Sequence, residues 1–164
     1  MIIRVFCLLA FVLAPSLMAP HQTSPSMTVD PDNIPADLEP CLKAQTELQI
    51  NGTVNPFYIS GDFDGDGYTD FAVQVMERKT HLRGVLFCFA SHKMLRWGAG
   101  TSTGAGTSAN SSWDYRSWEL ARKGGLHLSA FPKVKFDSII LSQPDEGGGL
   151  IYWDGRNLQW QMME

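Results

Sequence analysis

The sequence predicts a mainly β fold of the α+β kind, an antiparallel sheet of about six strands preceded by one N-terminal helix. Three observations carry that expectation. Short apolar runs alternate with period two, as in Phe71-Ala72-Val73-Gln74-Val75, where Phe71, Val73 and Val75 share one face and Ala72 and Gln74 the other. Asp154-Gly155 stands between two further runs, 150–153 and 158–162, and reads as a tight hairpin. Helical spacing is confined to residues 36–48.

Taken in order, residues 1–19 have one early charge, Arg4, an apolar run over 5–14, and Pro15-Ser16-Leu17-Met18-Ala19 at the exit. A basic start, a short apolar core and a small residue at the end predict a secretory signal peptide cut after Ala19. The run is well short of the ~20 residues that span a bilayer. Cys7 lies inside it with no small residue before it, which argues against a lipoprotein cysteine. The mature chain is therefore expected to be secreted or periplasmic, with no membrane span. Residues 20–35 are rich in Pro, Ser, Thr, Asp and Asn and predict an extended linker, leaving 36–164 as one domain.

Within that domain Leu38, Cys41, Leu42, Gln45 and Leu48 form one helical stripe, with Pro40 in the first turn, where proline is tolerated. Strands are expected at 71–75, 84–90 and 93–97. The second has Val85, Phe87 and Phe89 on one face and Leu86 and Cys88 on the other, which suits a central position. Residues 98–112 are a Gly, Ala, Ser and Thr loop. The aromatic segment 113–120 changes phase after Tyr115, as a bulged strand does, and strands follow at 138–142, 150–153 and 158–162.

The most specific chemistry lies in Gly61-Asp62-Phe63-Asp64-Gly65-Asp66-Gly67-Tyr68-Thr69-Asp70. Carboxylates this dense repel unless a cation sits between them, and calcium suits, taking six to eight oxygens at roughly 2.3–2.6 Å. Gly67 permits a sharp turn, after which Tyr68 can offer its main-chain carbonyl. The expected ligands are Asp62, Asp64, Asp66, the Tyr68 carbonyl, and Asp70 directly or through water. An EF-hand would need a bidentate Glu at loop position twelve, which here is Val73, and a helix on each side. A period-two strand follows instead, so the unit is a calcium loop running into a β-strand.

The stretch from Gly61 to Val73 resembles the calcium loop of FG-GAP and VCBS-type repeats. The chain is also similar to small exported bacterial proteins of unknown function that carry a single such loop, a Trp-Glu segment (Trp118-Glu119-Leu120) and a closing Gly-Leu-Ile-Tyr-Trp-Asp-Gly hairpin (149–155). The resemblance implies calcium binding and export, and no reaction. A propeller is not implied, because no second acidic loop occurs and propellers need several blades.

Removing 19 of the 164 residues leaves twelve basic side chains against seventeen acidic ones. There is no basic run with interleaved aromatics, so neither nucleic acid nor an anionic membrane is an expected partner. Cys41 and Cys88 survive processing, and two cysteines in an oxidising compartment predict one disulfide. Gly100-Thr101-Ser102-Thr103-Gly104 fits a serine-hydrolase pattern, with Asp114 and His127 after it. That pattern needs a strand-to-helix turn, whereas a Gly/Ser loop surrounds it here. Five tryptophans are mostly expected in the core, with Trp113 and Tyr115 at the mouth of the loop as candidate ligand-binding residues. The expectation is an exported calcium-binding structural or interaction module, its partner an extracytoplasmic protein or glycan. The alternatives are a calcium-dependent carbohydrate-binding module and a small secreted hydrolase.

Overall fold

A computed structural model describes residues 29–101, 115–131, 133–143 and 147–163. The expected signal peptide and Trp113 lie outside them. Strands β1 (Leu48–Ile50), β2 (Tyr58–Gly61), β3 (Asp70–Glu77), β4 (Arg83–Cys88) and β5 (Met94–Gly98) form one antiparallel sheet. Both β1 and β2 pair with the same side of β3, at its C-terminal and N-terminal halves, and β4 and β5 follow on the other side. Strands β6 (Ser117–Ala121), β7 (Ser138–Gln143), β8 (Gly147–Trp153) and β9 (Leu158–Met163) form a second sheet, a simple meander.

The fold is mainly β with a short N-terminal helix, as expected. The strands number nine among the described residues and divide between two sheets rather than one. The helix is also shorter than its stripe: α1 is only Glu39–Lys43, and Leu48 already belongs to β1. Pro40 occupies its first turn and no side chain caps its start, so a helix this short depends on its packing and on covalent attachment. Its stripe still points inward. Leu38 is fully buried, and Cys41 and Leu42 pack with Phe71, Val73, Val75, Leu86 and Cys88 on the outer face of the first sheet. The disulfide Cys41–Cys88 joins α1 to β4. Before it, Pro31–Asn33 make a 3-10 turn and Ile34 packs on the same cluster, so the end of the proline-rich stretch belongs to the folded body.

The inner face of the first sheet meets the second. Phe63, Ala72, Val85, Phe87, Phe89 and Trp97 pack against Tyr115, Trp118, Ile139, Leu141 and Ile151. The alternation of β3 thus feeds two apolar layers, which is why the strand is buried on both faces. Trp97 stacks on Trp160 with ring centres 5.4 Å apart. The Trp118 indole donates to the Pro56 carbonyl at 2.7 Å, and the buried Gln74 amide donates to the carbonyls of Val54 and Pro56. A helical turn α2 (Leu126–Ser129) and its flanks cover the outer face of the second sheet through Leu128, Phe131 and Val134. At the β8–β9 turn the Asp154 carboxylate accepts from the backbone N–H groups of Arg156 and Asn157, and Gly155 has φ +99°. The Asp-Gly signal is a hairpin. Among the described residues no helix is long and apolar enough to cross a membrane.

Candidate metal centre

The acidic segment connects β2 to β3, and Gly61 and Asp70 face each other in the strand pair. Its two ends are therefore held by sheet pairing, and its acids are brought together by the turn between. Gly65 and Gly67 have φ of +82° and +86°, in the left-handed region that favours glycine. Each successive carboxylate holds its own stretch of backbone. Asp62 accepts from Gly65 N at 2.7 Å and Gly67 N at 3.2 Å, Asp64 from Asp66 N at 3.2 Å, and Asp66 from Tyr68 N at 2.8 Å. These are the local side-chain to backbone bonds that Asp forms readily in turns.

Asp70 is placed differently. It is fully buried, and its two carboxylate oxygens accept from Phe63 N and Ala90 N, each at 2.8 Å. One bond closes the loop and the other reaches the residues after β4. Phe63 itself is buried in the inter-sheet core, its ring edge-on to Phe87 at 5.2 Å.

Asp62, Asp64 and Asp70 each bring one oxygen within 4.8 Å of the others. Oxygens bound at roughly 2.3–2.6 Å to one calcium ion lie no more than about 5 Å apart, so the trio fits such a shell. The donor set is all oxygen and anionic, which suits a hard cation. Asp66 stands outside this trio, turned to Tyr68 N, and the Tyr68 ring is exposed. Loss of water raises the carboxyl pKa of Asp70 to about 6, helped by the charges of Asp64 and Asp66 and opposed by its two N–H bonds. Asp64 is also raised, first by loss of water and then by its acidic neighbours. Ionising the cluster costs free energy that a cation would return.

Sequence reasoning missed two neighbours of the loop, Phe136 and Asp137. The Asp137 carboxylate accepts from Asp62 N at 3.2 Å, and Asp137 N donates to the Asp62 carbonyl at 3.2 Å. A Cβ on Gly65 would fall inside van der Waals contact of the Phe136 ring. No spacing signals these contacts, because they join segments 75 residues apart.

Tyr115 is buried in the inter-sheet core, so its ring is not a surface platform. It lines a hollow of about 210 Å³ with Leu141, Trp160 and Met162. Trp113, Ser102 and Asp114 lie outside the described residues, as does the side chain of His127. No family model matches the chain, and neither the curated proteins nor the solved structures give a match.

Proposed function

We propose that the protein is an exported calcium-binding structural or interaction module without catalysis of its own. The ion is held by Asp62, Asp64, Asp70 and the Tyr68 carbonyl, with Asp66 completing the shell. The observation that carries this reading is the convergence of Asp62, Asp64 and Asp70 within 4.8 Å at the mouth of a strand pair. The resemblance of residues 61–73 to FG-GAP and VCBS-type loops points the same way.

The position of the loop favours a structural role. A catalytic metal keeps an open coordination position with a base beside it. Here Asp70 is anchored by two backbone N–H groups as well as being a proposed ligand, and β3 runs from it directly into both apolar layers. The ion fixes the entry of that strand. Export and an extracytoplasmic protein or glycan partner complete the proposal, on the strength of the signal-peptide pattern in residues 1–19.

The test is thermal unfolding of the mature protein in calcium chloride and in chelator. Binding to the folded state alone adds about 2.7 kcal/mol when free ion is a hundredfold above Kd. Calcium should raise the melting temperature, and Asp64→Ala should remove the response. Superimposable melting curves in calcium and chelator would refute the proposal.

A further inference from the structure

Asp137 does not belong to the acidic trio, yet it grips the first residue of the loop from both sides. Its Oδ2 accepts from Asp62 N and its own N–H donates to the Asp62 carbonyl, so the main chain of Asp62 is held as a strand partner would hold it. Its Oδ1 accepts from Lys123 N at 2.8 Å. Lys123 follows β6, and Asp137 directly precedes β7. One side chain therefore ties the start of the acidic loop to two elements of the second sheet.

Its surroundings reinforce the tie. Phe136 lays its ring against Gly65, and the Lys123 ammonium lies 5.9 Å from the centre of that ring. At Gly61 the place of a Cβ is approached to 3.1–3.2 Å by Asp137, Leu120 and Phe63, so the loop enters with no slack against the second sheet. Asp137 is not among the carboxylates whose oxygens converge, so its part is to place Asp62.

We propose that Asp137 is the positioning residue through which occupation of the acidic loop is coupled to the order of the second sheet. This rests on the calcium reading above. An ion that draws the Asp62 carboxylate inward also fixes the Asp62 backbone, and with it the Asp137 bridge to Lys123. Linkage makes the effect reciprocal: a second sheet already held in place presents Asp62 correctly and tightens ion binding.

The experiment uses the full mature chain, titrated with calcium chloride by calorimetry and followed by hydrogen exchange with and without the ion. In the wild type, calcium should slow exchange at the amides of Phe63 and Ala90 and also at Lys123 and residues 138–143. Asp137→Ala should weaken calcium binding by about tenfold, as loss of a residue supporting a metal ligand does. It should also abolish the slowing in the second sheet while leaving it at Phe63 and Ala90. Asp137→Asn, which keeps one acceptor and the side-chain shape, should fall between the two and serves if the alanine variant does not fold. Wild-type affinity in both variants, with slowing still reaching Lys123, would overturn the coupling and leave the calcium reading standing. Absence of calcium binding in the wild type would overturn both.

Discussion

Gly65 and Gly67 have almost the same φ and very different surroundings, which makes them a matched pair for testing how the acidic loop is held. Alanine at either position must adopt a left-handed conformation, at a cost of about 1–2 kcal/mol. At Gly67 nothing lies within 4 Å of the new methyl group, so that cost is the whole effect. At Gly65 the methyl would stand under 3.0 Å from two atoms of the Phe136 ring. Overpacking of this kind adds about 1–3 kcal/mol, the lower end applying if the half-buried ring can swing aside. Gly65→Ala should therefore cost about 2–5 kcal/mol in all and Gly67→Ala about 1–2. Urea unfolding in chelator, followed by tryptophan fluorescence and far-UV circular dichroism, measures both without any contribution from bound ion. Phe136→Ala in the Gly65→Ala background should recover the excess, giving a coupling energy within the roughly 0.5–3 kcal/mol found for touching residues. Equal losses at the two glycines, or no coupling to Phe136, would refute the picture of a loop seated against the second sheet.

Three further outcomes are expected. The raised pKa of Asp70 has a sign opposite to the common carboxylate case: the folded state takes up the proton more readily than the unfolded one. Its contribution is present below pH ~4 and lost as pH rises through about 6, up to about 3 kcal/mol at 1.36 kcal/mol per unit. Unfolding in chelator should show this decline, Asp70→Asn should flatten it, and calcium affinity should rise over the same interval. A chelator-treated protein that gains stability between pH 4 and 6 would contradict the assignment. Reducing Cys41–Cys88 reopens a span of 47 residues and should cost about 4 kcal/mol on chain-entropy grounds, read as a lowered urea midpoint. Because Asp64 lies inside the trio and Asp66 outside it, Asp64→Asn should weaken calcium binding more than Asp66→Asn does in calorimetry. The reverse order would mean that the ion sits nearer Asp66.

What could be read from the sequence was local. Asp62, Asp64 and Asp66 alternate along a few residues, and the turn that carries them needs only Gly65 and Gly67. The alternation at Phe71 to Val75 is just as local, and the structure sends its two faces into two different apolar layers. Two cysteines left a single pairing to consider. The pattern treats Asp70 as one more acid, whereas the structure buries it between Phe63 N and Ala90 N, contacts set by where β4 ends. Strands β1 and β2 escaped notice because they are three and four residues long and carry little alternation. The division into two sheets was out of reach because it depends on pairs such as Trp97 with Trp160, which nothing near either residue announces. Asp137 belongs to the same class.

The arrangement of strands has a consequence for how the chain reaches its fold. Among the described residues every strand of the first sheet precedes every strand of the second, and no strand pairing crosses between them. Each sheet can zip up from nearby hairpins, with short loops to close and correspondingly fast kinetics. What joins them is the apolar layer between the two sheets, with Trp118 on Pro56, Lys93 over Trp153 and Asp62 on Asp137 as further long-range contacts. Docking of the two halves across that layer makes the longest-range contacts and is therefore expected late in folding. A chain made N-terminus first can complete its first sheet before the second has arrived.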